Sequence, residues 1–271
     1  MIRMAAVGDV HYDRESRGKL SKHWAELEGK ADLLLLAGDL TQVGNPDEAR
    51  PLAEDLSECP VPVFAVLGNH DYHMDQEQEI VRLLTEAGVT VLDRNYVVVE
   101  IGQCRVGIYG LKGFGGGFLG ACCSEFGEKE TKAFIHTTKT MAEDLREGLE
   151  DMQADCKIVL MHYSPSPDTL LGEKKEIYPF LGSYLLGEAI DAAGAHVVFH
   201  GHAHKGTESG ATPGGVPVRN VAQPVIRHAF NIYSMNELSD ESQRLSSSAA
   251  PGSPRVSASA LTLEAKADRT S

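Results

Sequence analysis

The chain has 271 residues, 42% of them hydrophobic and 24% charged, which is the composition of a globular protein with a sizeable core in one large domain or two small ones. Its formal charge is −14, from 39 acidic and 25 basic residues, and it has no basic tract. Long nucleic acid is therefore disfavoured as a partner, because polyanion binding draws on cation-rich surface. Residues 1–10 carry Arg3 and Asp9 and lack a signal-peptide core, and the longest apolar run, 33–37, falls far short of the roughly 20 residues of a membrane span. Cys59, Cys104, Cys122, Cys123 and Cys156 are odd in number and show no CxxC spacing, so they read as reduced thiols. A cytoplasmic protein away from the membrane is expected.

Taken in chain order, residues 2–7 predict a strand, 16–30 a helix, 33–37 a buried strand, 46–57 a helix, 61–67 a third strand and 75–87 a helix. This βαβαβα order argues for α/β layering with parallel neighbours. The rhythm then changes. Short strands are expected at 89–92, 96–101 and 105–110, then a glycine-rich loop at 113–120 and a long polar helix from 128 to about 152. That loop lacks the order of a nucleotide-binding motif and suits a mobile wall or a plain connection. Strands at 157–162 and 196–200 flank a helix at 183–193, and strands at 216–221 and 227–233 close a domain spanning 1–236. Beyond Glu237 the chain is rich in Ser, Ala and Pro without aromatics. Residues 237–271 are expected to form a disordered tail, with at most short structure at 261–267.

The strand ends carry the chemistry. Strand one runs into Gly8-Asp9-Val10-His11, strand two into Gly38-Asp39 and strand three into Gly68-Asn69-His70-Asp71. Later strands end in Met161-His162 and His200-Gly201-His202-Ala203-His204. Ligands of α/β sheets gather at the carboxyl ends of strands, so these groups are placed to converge. The preceding glycines allow tight turns, and the Asp-x-His and His-x-His spacings put two side chains on one face of an extended backbone. One Asp-x-His alone is weak. Five ligand-rich strand ends are not, because burying several carboxylates without a balancing cation is costly.

In order, these residues resemble the pattern of the calcineurin-like metallophosphoesterases: Asp-x-His, Gly-Asp, Gly-Asn-His-Asp, a lone His, then Gly-His-x-His. The resemblance spans Asp9 to His204 with no ligand position missing. It implies a four-layer αββα sandwich, an α/β fold with two mixed sheets flanked by helices. It also implies two divalent metal ions, one on Asp9, His11, Asp39 and His204 and one on Asn69, His162 and His202, with Asp39 bridging. Oxygen and imidazole donors without thiolate suit Mn, Fe, Zn or Mg. The implied reaction is in-line attack on phosphorus by a metal-bridging hydroxide, with His70 as general acid and Asp71 either orienting His70 or serving as a helix N-cap or turn residue before Tyr72.

The protein serine/threonine phosphatases of the superfamily carry arginine soon after the second-motif aspartate and Gly-Asn-His-Glu at the third motif. Here Asp39 is followed by Leu40-Thr41-Gln42-Val43, and the third motif ends in Asp71. A small phosphate ester is therefore the expected substrate, a diester ahead of a monoester. A non-catalytic binding scaffold is the reading from another class, and the complete ligand set argues against it. His200 is expected to support the site, and His23, His73, His136, His196 and His228 have no partners in spacing.

Overall fold

Unbroken apolar runs become strands because both of their faces are covered. In the computed structural model, which describes residues 2–248, the strands are β1 (Arg3–Val7), β2 (Leu33–Ala37), β3 (Val63–Val66), β4 (Thr90–Val91), β5 (Asn95–Ile101), β6 (Cys104–Leu111), β7 (Gly117–Phe118), β8 (Ala121–Cys122), β9 (Cys156–Met161), β10 (Val197–His200), β11 (Ser209–Ala211), β12 (Pro217–Asn220) and β13 (Asn231–Ser234). The helices are α1 (Trp24–Leu27), α2 (Pro46–Ser57), α3 (Glu77–Glu86), α4 (Lys129–Asp151), α5 (Tyr178–Leu181), α6 (Tyr184–Ala193), α7 (Gln223–Ile226) and α8 (Met235–Ser248). One sheet runs β13-β1-β2-β3-β4 and the other β11-β12-β10-β9-β6-β5. Both are mixed: β1 to β4 are mutually parallel with β13 antiparallel at the edge, and β6, β9, β10 and β12 are parallel between antiparallel β5 and β11.

Strand periodicity of two sorts the side chains into three cores. Met4, Ala6, Leu33, Leu35, Phe64 and Val66 face Val106, Ile108, Ile158, Leu160, Val197 and Phe199 between the sheets. The alternate residues Ala5, Val7, Leu34 and Leu36 pack outward on Leu52 and Leu56 of α2 and Ile80 and Leu84 of α3. On the far side Tyr109, Val159, Met161 and Val198 meet Leu145 and Leu149 of α4 and Leu186 and Ile190 of α6. This is the four-layer αββα arrangement. Full burial of each leucine contributes about 1.5–3 kcal/mol, so leucine-rich β2 is held at the centre by what covers it.

Three expectations are corrected. Residues 16–30 form a 3-10 turn at Ser21–His23 and the single turn α1 rather than a long helix. The carboxylate of Asp55 accepts from Gly18 N, Leu20 N and Ser21 N, so Leu20 N and Ser21 N are bonded to a side chain of α2 and not to carbonyls four residues back, and a helix begun at Ser16 cannot run through them. Part of the glycine-rich loop is ordered as the pair β7–β8. The chain beyond Glu237 continues in α8 instead of turning disordered there: Leu238 is buried in the inter-sheet core and Glu241 pairs with Arg219. The remainder of that expectation, from residue 249 on, lies outside the described residues. All five cysteines are free. No helix among the described residues is long and apolar enough to cross a membrane.

Candidate metal centre

The carboxyl ends of β1, β2 and β3 in one sheet and of β9 and β10 in the other lie at the same edge of the sandwich, and the candidate ligands stand on the loops that leave them. These loops are not extended. Asp9, His11, Asp39 and His202 have φ of 55°, 42°, 48° and 71°. That region costs a residue with a Cβ about 1–3 kcal/mol and persists where the surroundings over-determine it. Here the backbone is pinned across loops: Asp9 N donates to Gly38 O at 2.9 Å, His11 N to Asp39 O at 3.0 Å and Gly8 N to Val221 O at 2.8 Å. Asp9 and His11 therefore converge through a strained turn and not, as their spacing suggested, through a strand pleat. Two of the motif glycines make room for carboxylates. A methyl group on Gly68 would lie 2.1 Å from Asp39 Oδ1, and one on Gly201 2.2 Å from Asp9 Oδ2.

Three overlapping sets of donor atoms result, each within 4.8 Å: Asp9, His11 and His204; His11, Asp39 and His70; Asp39, His162 and His202. His204 Nε2 is 2.8 Å from Asp9 Oδ1, and His162 Nε2 lies 3.3 Å from Asp39 Oδ1 and 2.9 Å from Asn69 Oδ1. His11 Nε2 and His70 Nε2 each approach Asp39 Oδ2 to 3.9 Å. Asp39 is thus shared between sets, as a bridging carboxylate must be, and every sequence-expected ligand is in the cluster. The donors fit two divalent ions of the hard to borderline kind. One further observation fits as well: His11 Nδ1 is buried without a hydrogen-bond partner among the described residues. His202 Nε2 donates to Phe180 O at 3.0 Å, which leaves its Nδ1 lone pair available to a ligand.

The electrostatics are those of a cation site. Burial alone would raise Asp39, but His162 and the amide of His70 hold its carboxyl well below the usual range. Burial alone would lower His162, but Asp39 pushes it up to about 9. The hydrogen bond with Asp9 raises His204. Burial lowers His11, and burial with the nearby His162 lowers His202 to about 4. The carboxylates that raise His162 and His204 favour positive charge beside them, which is what a divalent cation would supply.

His70 is in reach but set apart. Its ring lies 4.6 Å from that of His11, its side chain is 39% exposed, and Nδ1 donates to Gln42 O at 2.6 Å, so Nε2 faces the cluster. Asp71 does not orient it. The Asp71 carboxylate is fully buried and accepts from Gly68 N, Leu40 N, Thr41 N and Thr41 Oγ1 at 2.7–3.1 Å. The residue that orients His70 is Gln42, through its backbone carbonyl, for which no side-chain pattern gives a signal. His200 lies outside the cluster, with Nε2 2.8 Å from Thr169 Oγ1, and burial lowers it to about 4. The sequence reading also missed Lys112, half-buried with its ammonium 4.2 Å from the Tyr72 ring centroid and 5.4 Å from that of Phe114.

The profile of the calcineurin-like phosphoesterases matches residues 2–206. The chain belongs to that family. A curated relative, an uncharacterized metallophosphoesterase of Aquifex aeolicus (strain VF5), is 38% identical over 96 residues, which are 34% of this chain and 36% of that one. The match spans only about a third of the length of that relative. Among solved structures, a phosphopantetheinyl hydrolase from Mycobacterium tuberculosis superposes with a TM-score of 0.59 at 15% identity, covering 83% of this chain and 90% of its own. The protein TT1561 of Thermus thermophilus gives 0.56 at 17% identity, covering 88% and 96%. A putative 5′-nucleotidase from Staphylococcus aureus gives 0.53 at 19% identity, covering 81% and 48%. These likenesses establish the calcineurin-like fold, and the family is one of binuclear metal-dependent phosphoesterases.

Proposed function

We propose that the protein hydrolyses a small phosphate ester, a diester in preference to a monoester, at the centre between Asp9 and His204. The observation that carries the reading is Asp39, common to the set with His11 and His70 and to the set with His162 and His202. Asp9, His11, Asp39 and His204 would hold one ion, and Asp39, Asn69, His162 and His202 the other. Two divalent ions bound there supply Lewis acidity, neutralising phosphoryl oxygens and lowering the pKa of water. The chain supplies the rest. Asp39 spans the two sets, Asn69 directs its amide oxygen toward His162 Nε2, and the Gln42 carbonyl fixes the His70 ring. A proton on His70 Nε2 is then positioned for transfer to the departing alkoxide. The preference for a diester carries the sequence-based expectation forward, and the two nitrophenyl esters compared below decide it.

The test is hydrolysis of bis(p-nitrophenyl) phosphate and p-nitrophenyl phosphate by metal-stripped protein with Mn²⁺, Mg²⁺, Zn²⁺ or Fe²⁺ restored. Turnover is expected to need metal, to favour the diester and to vanish in Asp39→Ala. His70→Ala is expected to keep its metal and to lose about 10²-fold or more in kcat on esters with alkoxide leaving groups. Nitrophenyl esters should lose less, because nitrophenoxide departs without a proton. Failure of the chain to bind any of these ions would overturn the assignment.

A further inference from the structure

The edge of the sandwich that holds the metal centre runs on past it by one strand in each sheet. β4 lies beyond β3 and β6 beyond β9, each parallel to that neighbour, so the chain leaves both at the same edge. Between them is a hollow of about 390 Å³. Its walls include Leu67 and Tyr72 from the loop after β3, Gln78 and Val81 of α3, Leu92 after β4 and Lys112 after β6. A concave site of this volume, with apolar walls and a few polar groups, is of the kind that takes a small molecule.

Two links join the hollow to the centre. Leu67 and Tyr72 bracket the segment 68–71, which bears Asn69 and His70. The carbonyl of Lys112 accepts from the amides of His162 and Tyr163, each at 3.0 Å. One wall is therefore the loop of the candidate proton donor, and another is tied to the strand end of a candidate ligand. Because His70 serves the departing alkoxide, the hollow adjoins the side on which the alcohol leaves.

The Lys112 side chain gives the hollow its chemical character. Its ammonium stands 4.2 Å from the Tyr72 ring centroid and 5.4 Å from that of Phe114, and makes no hydrogen bond or ion pair among the described residues. Ring faces attract the charge but leave its three N–H donors without a conventional acceptor. Burial pulls the ammonium down, against the charges of Asp93, Asp39 and Glu77. Glu77 and Asp93 also line the hollow, yet neither pairs with Lys112, so an anionic group entering there meets unclaimed donors. A half-buried cation held without a partner is costly, and a ligand that supplies the anion removes that cost.

We propose that the hollow takes the alcohol part of the phosphate ester and that Lys112 selects alcohols bearing an anionic oxygen, from a carboxylate or a second phosphate. The proposal rests on the phosphoesterase reading and deepens it.

The experiment is calorimetry on the full metal-loaded chain with three phosphonates of equal length: pentylphosphonate, 6-phosphonohexanoate and pentane-1,5-diphosphonate. At least one of the two compounds with an anionic end is expected to bind tenfold tighter or more than pentylphosphonate, the worth of a hydrogen bond to a charged group. Which of them does so names the source of the anion. Lys112→Met keeps the stem on the Tyr72 ring and is expected to abolish the advantage, and Lys112→Arg to restore part of it. Gln78→Trp, at an exposed position of α3, adds bulk to the hollow without touching the core. It is expected to weaken the favoured compound tenfold or more relative to methylphosphonate. Equal affinities for the three phosphonates, absent binding included, would overturn the subsite. So would an advantage that survives Lys112→Met, which would put the anion elsewhere, or one indifferent to Gln78→Trp. Protein that binds metal and phosphonates in this pattern but hydrolyses no ester would count against the phosphoesterase reading alone.

Discussion

Asp71 stands one residue beyond His70, yet its carboxylate turns away from that ring. The two lie in a 3-10 turn, His70–Tyr72, where three residues complete a revolution and successive side chains diverge by a third of a circle. Asp71 points into the protein and ties the loop after β2 to the loop after β3, the loops that carry Asp39 and Asn69. Burial and the neighbouring Asp39 push its carboxyl up, and the donors from Gly68 and Thr41 oppose them. In Asp71→Ala, three buried amides and a hydroxyl lose their acceptor. Urea unfolding of metal-free protein should show a loss of about 3 kcal/mol or more, at about 1–3 kcal/mol for each buried donor left unpaired and not relieved by water. His70→Ala, at a partly exposed side chain, should cost less than about 1 kcal/mol in the same measurement. The reverse order would exchange the roles given to the two residues. Both positions were legible in the sequence as part of the third motif. Their division of labour was not, because adjacency in a motif says nothing of the direction in which a 3-10 turn sends each side chain.

Elements that are stabilised by their own covering were the readable ones. β2, β3 and α2 fall close to their expected spans because apolar pattern and local caps specify them: Asn45 accepts from Asp47 N at the start of α2, with Pro46 behind it. The segment before α1 could not be read in this way, since Asp55 acts on Gly18 across 37 residues. That contact also bears on the centre. Tyr12, next to His11, donates its hydroxyl to Asp55 Oδ2 at 2.7 Å and accepts from Leu20 N at 2.9 Å, so α2 holds the loop on which His11 stands. Burial alone would raise Asp55, but the hydrogen bonds from Tyr12, Gly18, Leu20 and Ser21 outweigh it and hold the carboxyl below its ordinary value. A depressed carboxyl contributes stability that is present above the unfolded-chain value and lost as pH falls through the folded one. Asp55→Asn should therefore be less stable than the unaltered protein by about 2 kcal/mol near neutrality, with the gap closing below about pH 4. Urea unfolding over a pH series measures it, and a gap constant across that range would dismiss the charge of Asp55 as its source.

At the scale of the whole molecule, convergence of the ligands follows from topology: parallel strands in both sheets end at one edge, and the strand-end motifs announce it. How the chain closes the sandwich was not announced. The composition beyond Glu237 predicted no burial, but the polar residues there carry one leucine and one glutamate at positions that matter. β13 pairs antiparallel with β1, Met235 N donates to Ile2 O at 3.0 Å, and Leu238, 2% exposed, enters the core between the sheets. Glu241 forms an ion pair with Arg219, itself 7% exposed, while Glu208 remains 3.7 Å from the same guanidinium. Leu238→Ala should cost about 2–4 kcal/mol, the range for removing a fully buried leucine side chain. Glu241→Ala should cost only about 1 kcal/mol, because Arg219 keeps one carboxylate and the lost partner is partly screened by solvent. Truncation after Asn236 removes both contacts and should lower the unfolding midpoint by more than either substitution. Turnover per folded molecule should stay unchanged, since every candidate ligand precedes Thr207. Thermal unfolding paired with activity at low temperature separates the two effects: a truncated protein of full stability would dismiss the packing role of α8, and one that is stable but inactive would place part of the site beyond residue 236.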